Sequence, residues 1–218
     1  MLKILVTTAC FSSGLHSKWI DQKSDKYEIV FNRIDDYTES ARIKAMAPRL
    51  RGKISKMIIW EDYPDYDYYI WADSNFSIVN EKAIEKLVDE CLNVDASFFK
   101  HTGRNSVKQE ADFVLDLMAD GNQYLLNRYD GERIKEQVEY YSKDLTWNDN
   151  YLFECGIFIY SKHIIENKNY NLMKEWFYHN CLWSVQDQLS LPYLVHKFNI
   201  NYKILPGNVY ENEYFKII

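Results

Sequence analysis

Short apolar runs without helical period alternate along this chain with stretches whose apolar residues recur every three or four positions. Leu2 to Thr8 is the first such run and Tyr27 to Asn32 the second; both read as strands, the first leading into the loop Thr-Thr-Ala-Cys-Phe-Ser-Ser-Gly. Tyr68 to Ala72, Ala96 to Phe99, Tyr151 to Tyr160 and Tyr202 to Leu205 repeat the pattern. A helix is expected to open after Thr38-Glu39-Ser40, where hydroxyls cap free N–H groups, and to be disturbed near Pro48. Further helices are expected over Asn80 to Leu92, with Ala83, Leu87 and Cys91 on one face, then Lys108 to Met118, Gly131 to Tyr141, Tyr170 to Cys181 and Gln186 to Phe198. Strands alternating with helices predict an α/β fold with a mixed, mostly parallel sheet flanked by helices, which binds its ligand at the carboxyl ends of the strands.

Composition narrows the class. At 218 residues and 47% hydrophobic, the chain supports one sizeable core, read as a single domain over 1–218. A net charge of −6 argues against a large footprint on duplex nucleic acid. Nothing approaches the ~18 apolar residues of a membrane span, so any membrane contact is expected to be peripheral. Met1 to Cys10 ends like a lipoprotein signal, but its apolar core Ile4-Leu5-Val6 is too short, and a first strand is the better reading. The four cysteines, Cys10, Cys91, Cys155 and Cys181, form no C-x-x-C pair, which predicts free, mostly buried thiols in a reducing, cytoplasmic setting.

The apolar run at Tyr68 stops abruptly at Asp73-Ser74-Asn75. A carboxylate and an amide oxygen two positions apart project on one side of an extended segment and suit a hard cation, Mn²⁺ or Mg²⁺; the alternative is that these residues simply turn the chain. Lys100 and Arg104 follow the next strand and are placed to line the same cleft, whereas His101 between them reads as a packed histidine. Glu154 sits inside an apolar run and is costly to bury unpaired, so it should face either a cavity or an arginine, with Gly156 permitting close approach of a substrate. Asp187 opens a late helix, either as a cap or as an acid with a chemical task. The 18 tyrosines and six tryptophans suit a carbohydrate cleft but are accounted for mainly by packing.

Taken in order, Thr7-Thr8-Ala9, Arg42-Ile-Lys44, Tyr69-Ile-Trp-Ala-Asp73-Ser-Asn75, Phe99-Lys-His-Thr-Gly-Arg104, Glu154-Cys-Gly-Ile-Phe-Ile and Asp187-Gln-Leu-Ser-Leu-Pro-Tyr193 resemble a GT-A-fold glycosyltransferase. More closely, they resemble the glycosyltransferase-like domain of plant mucilage-related proteins and their bacterial relatives, a family also known under a ceramidase-like name. The resemblance implies transfer of a hexose from a nucleotide sugar, such as a UDP-hexose, to a glycan or glycolipid acceptor in polysaccharide biosynthesis. It implies a D-x-D-like metal site at Asp73 in which Asn75 replaces the second acid, and contacts to the donor from Thr8, Ala9, Arg42 and Lys44. Arg42 and Lys44 read otherwise as a solvated helix face. The resemblance also implies that Asp187 and Gln188, with Glu154, act on the sugar. The D-Q pair points to retention of configuration; Asp187 acting as a base would instead give inversion. No His-x-x-Gly segment follows Tyr202, so a third metal ligand is unassigned. Two other classes remain open: a binding module that lost turnover, for which Asn75 is the motive, and a nucleotidyltransferase, disfavoured by the lack of a glycine-rich basic loop after the first strand.

Overall fold

The computed structural model describes residues 1–10, 18–34, 40–167 and 171–217. Expectations that fall on Phe11 to Ser17, Asp35 to Glu39 and Lys168 to Tyr170, including the Thr38-Glu39 part of the helix start, lie outside the described residues.

Six strands form the main sheet: β1 (Leu2–Ala9), β2 (Tyr27–Ile34), β3 (Tyr68–Ala72), β5 (Ala96–Lys100), β6 (Phe153–Ser161) and β7 (Tyr202–Ile204), in the order β2-β1-β3-β6-β5-β7. β1 runs parallel to β2 and β3, and β5 parallel to β7; β6 lies antiparallel to both β3 and β5. The mostly parallel α/β sheet expected from the alternation is therefore present, with one reversed strand at its centre. Two short strands, β4 (Phe76–Ile78) and β8 (Phe215–Ile217), pair in a separate ribbon that periodicity did not reveal.

Continuous apolar runs form the central strands because helices cover both faces of the sheet. Ile4, Val6, Tyr68, Ile70, Ile157 and Ile159 pack on one face with α3 (Ala83–Asp89). Leu5, Tyr69, Trp71, Phe158 and Tyr160 point to the other, where α8 (Leu172–Leu182) and α9 (Asp187–Lys197) contribute Trp176 and Leu189. The alternation of strand side chains sorts consecutive residues into two cores.

The expected helices lie close to their sequence spans, with α4 (Val107–Ala119) and α6 (Ile134–Tyr141) among them, and α5 (Gln123–Tyr129) was not anticipated. The stretch around Pro48 needs a larger correction. Ser40 caps a one-turn helix, α1 (Ala41–Lys44), by accepting from Ile43 N, and Pro48 then opens a second helix, α2 (Pro48–Met57), at its first position. Proline is suited there because its missing N–H would have had no intrahelical partner. None of the four cysteines forms a disulfide with another, and Cys10, Cys91 and Cys155 are buried while Cys181 is exposed. Among the described residues no helix is long and apolar enough to cross a membrane.

Candidate active site

The carboxyl ends of β1, β3 and β5 and the start of the reversed β6 meet at one edge of the sheet. A cleft of about 540 Å³ opens there, and Ala9, Asp73, His101 and Glu154 bring one residue each from these strand ends to its wall. Arg104, Asn75, Asp187 and Gln188 also line it. Arg42, Lys44 and Lys100 are exposed and are not among the lining residues, while Thr8 is buried within β1. The cations that do line the cleft from this part of the chain are Arg49, Lys53 and Lys56 of α2, which sequence reasoning missed. Their signal was the spacing Arg49, Lys53, Lys56, one helical face, hidden once Pro48 was read as a disturbance rather than a start.

Asp73 leaves β3 and enters a turn, with Asp73 O accepting from Phe76 N at 3.0 Å, so Ser74 and Asn75 are not extended as the i, i+2 argument assumed. Both Asp73 and Asn75 still reach the cleft. Asp73 N donates to Gly156 O at 2.8 Å, locking the turn to β6. This bond continues the antiparallel β3–β6 ladder one step past the Ala72–Ile157 pair; on its other edge β6 carries a bulge, since Phe98 pairs with Phe158 but Phe99 with Glu154, leaving Cys155, Gly156 and Ile157 without partners in β5. A Cβ on Gly156 would lie 3.0 Å from Phe76 Cε2 and 3.6 Å from Asp73 Oδ2. Gly156→Ala is therefore expected to displace Phe76 and the Asp73 turn, destabilising the protein by about 1–3 kcal/mol as other overpacked sites do. An unchanged denaturation midpoint would show that the ring simply moves aside.

Two lysines surround Asp187. Lys53 Nζ and Lys56 Nζ each lie 2.6 Å from Asp187 Oδ2, and Lys56 Nζ lies 3.6 Å from Asp73 Oδ1. Burial works against the Asp187 charge, but the two ammonium groups outweigh it and hold its pKa well below the usual carboxylate range. Burial depresses the pKa of Lys53, whereas Asp187 and then Asp73 overcome burial at Lys56 and raise it. Gln186 occupies the N-cap of α9 and Asp187 its first turn, so Asp187 is not the cap, and its carboxylate is held by the lysines. An acid bound this way is a fixed anion and a poor base.

The opposite wall carries a polar network. Tyr129 OH donates to Gln186 Oε1 at 2.5 Å, Gln186 Nε2 donates to Glu110 Oε1 at 2.7 Å and to Gln188 Oε1 at 3.0 Å, and Gln188 Nε2 donates to Glu154 Oε2 at 3.1 Å. Arg104 pairs with Glu110. His101 Nδ1 accepts from the backbone N–H groups of Gly103 and Arg104, both at 3.0 Å, while its Nε2 lies 3.1 Å from Arg104 Nη2 and 3.5 Å from Glu154 Oε1. Burial, then the Arg104 charge, lowers the His101 pKa. Burial and then Glu110 push Glu154 up to about 7. Glu154 thus faces the cavity, its arginine being taken by Glu110, and changes protonation near neutral pH.

For a divalent cation, the oxygen donors here are few but of the right kind. Asp73 Oδ1 accepts from Trp71 Nε1 at 2.6 Å, while Oδ2 lies beside Gly156 on the cleft wall, and Asn75 adds a neutral oxygen. Among the described residues no three His, Cys, Asp or Glu side chains converge on a metal position. This set fits a hard cation that takes its remaining ligands from phosphate and water, the habit of Mg²⁺ and chemically similar ions.

A reversed central strand in a mostly parallel sheet, with an acid and cations at the strand ends, defines a GT-A-like architecture. The chain belongs to the TOD1/MUCI70 glycosyltransferase-like domain family, whose model matches residues 41–218. Among solved structures it is similar to a glycosyltransferase involved in glycosylation of the major capsid of PBCV-1, with 10% identity and a TM-score of 0.44 over 93% of this chain and 81% of that one. It is also similar to the WbbM bifunctional glycosyltransferase in its apo structure, with 13% identity and a TM-score of 0.49 over 94% of this chain and 38% of that one. Core-mannan synthase A of Aspergillus fumigatus in its Mn/GDP form gives 8% identity and a TM-score of 0.40 over 89% of this chain and 68% of that one. No curated protein matches the chain.

Proposed function

We propose that this chain transfers a hexose from a nucleotide sugar, UDP-linked by the family resemblance, to a glycan or glycolipid acceptor. The observation that carries this reading is the convergence of Asp73, Lys53 and Lys56 with the titratable Glu154 in one cleft. Departure of a nucleoside diphosphate needs positive charge at the breaking bond, and Lys53 and Lys56, held in place by Asp187, supply it beside Asp73. Asp73 and Asn75 would hold a divalent cation, which when bound adds further charge neutralisation at the diphosphate.

Glu154 receives the proton of the acceptor hydroxyl as that oxygen bonds to the anomeric carbon and the carbon–phosphate-oxygen bond breaks. Gln188 orients the carboxyl through its 3.1 Å bond, so in this reading it positions the base. Because Asp187 is a bound anion of low basicity, Glu154 is the acid suited to that proton, and the product is inverted. The Asp187-Gln188 resemblance supports the alternative, retention, in which the leaving phosphate oxygen takes the proton. The anomeric configuration of the product separates the two.

The test is a panel of UDP-, GDP- and other nucleotide sugars scored for hydrolysis and thermal stabilisation, with and without Mn²⁺. One sugar is expected to respond selectively, and Asp73→Ala is expected to lose the metal-dependent part while melting as the wild type does without ligand. An Asp73→Ala protein with unchanged metal dependence removes Asp73 from the site. Stabilisation without any hydrolysis or transfer selects the binding-module reading, for which the neutral Asn75 is the supporting observation.

A further inference from the structure

Arg49, Lys53 and Lys56 are four and three positions apart on α2 and so share one face of the helix. Lys53 and Lys56 are engaged by Asp187, but Arg49 has no carboxylate partner among the described residues. Its neighbour is another cation. Arg128 of α5 lines the cleft beside it, and the two arginines also line an adjoining hollow of about 490 Å³. Arg128 Nε is buried without a hydrogen-bond partner, while the guanidinium lies over the ring of Tyr124, 4.8 Å from its centroid, and also donates to the Tyr124 hydroxyl. Glu132 is the carboxylate that lines this hollow, and it accepts from Val185 N at 3.0 Å instead of pairing with either arginine. Arg49 is exposed and Arg128 half-buried; partial desolvation and then the Arg128 charge lower the Arg49 pKa.

Seven helix positions separate Arg49 from Lys56, roughly 10 Å along the axis at 1.5 Å per residue. Lys56 marks the Asp73 end of the cleft; Arg49 therefore stands well away from it, past Asp187 and towards the adjoining hollow. Two forked guanidinium groups suit a group with paired oxygens, phosphate or carboxylate. We propose that Arg49 and Arg128 form an anion subsite that binds a phosphate or carboxylate carried by the acceptor. The assignment to the acceptor rests on the proposed transfer reading, since the donor diphosphate is placed at the Asp73 end. The anion binding itself does not.

Calorimetric titration in metal-free buffer of low ionic strength tests it, with inorganic phosphate, glucuronate and glucose as probes. The wild type is expected to bind one or both anions and not glucose. Arg49→Gln and Arg128→Gln should each weaken that binding tenfold or more, and Arg49→Lys should retain part of it. Thermal midpoints check that each variant is folded. Preference for phosphate assigns a phosphorylated acceptor, and preference for glucuronate an acceptor bearing uronic acid. Absence of binding by the wild type, or arginine variants that bind as the wild type does, overturns the subsite. A protein that neither hydrolyses nor transfers from any nucleotide sugar yet binds anions through these arginines keeps the subsite and loses the transfer reading.

Discussion

Replacing Glu154 with glutamine is expected to lower kcat by roughly two to four decades, the range that a positioned acid or base contributes. The substitution is nearly isosteric and leaves the bond to Gln188 geometrically possible, so donor affinity should change little. The pH dependence gives the sharper readout. With its pKa raised to about 7, mainly by burial and then by Glu110, Glu154 is protonated below neutrality and takes a proton only above it. The wild-type kcat/KM should therefore rise through pH 7, and that limb should vanish in the variant. Stability should run the other way. A carboxyl whose folded pKa is raised contributes stability that is fully present below its unfolded pKa, near 4.3, and is lost as pH rises through about 7. Glu154→Gln should thus gain stability relative to wild type as the pH is raised from 5 to 8. A flat wild-type rate profile together with a variant active within tenfold would remove Glu154 from the chemistry.

Asp187→Asn is expected to give the largest loss of stability. It removes the anion that two buried lysines share, and uncompensated buried charge costs about 3–5 kcal/mol. For a chain of this size, with a midpoint shift of about 2–4 °C per kcal/mol, the melting temperature should fall by roughly 10 °C. The sign with pH is opposite to that of Glu154. The depressed folded pKa means that Asp187 stabilises the fold above its unfolded pKa, near 3.9, and loses that contribution as pH falls towards the folded value. The gap between wild type and variant should be full at pH 7 and should shrink on acidification below pH 4. A variant melting within 2 °C of wild type at pH 7 would mean that the lysines find other partners or lose their protons. Loss of a helix cap does not enter, since the N-cap of α9 is Gln186.

Periodicity and residue chemistry alone determined the succession of strands and helices, the mostly parallel sheet, the position of Asp73 at a strand end and the need of Glu154 for either a cavity or a cation. These were legible because they are local: a strand buried on both faces must be apolar at every position, and a carboxylate inside such a run needs an outlet. Family resemblance extended the reading to the Asp187-Gln188 pair. Tertiary structure alone decided which cations meet which acids. Arg42 and Lys44 lie on a single exposed turn, while Lys53 reaches across 134 residues of sequence to Asp187. The reversal of β6, whose register with β3 brings Gly156 against Asp73, and its bulge towards β5 likewise depend on pairing between distant segments. The charge state of Asp187 is decided in the same way: a carboxylate's basicity is set by the charges packed around it, and those arrive from parts of the chain that no local pattern connects.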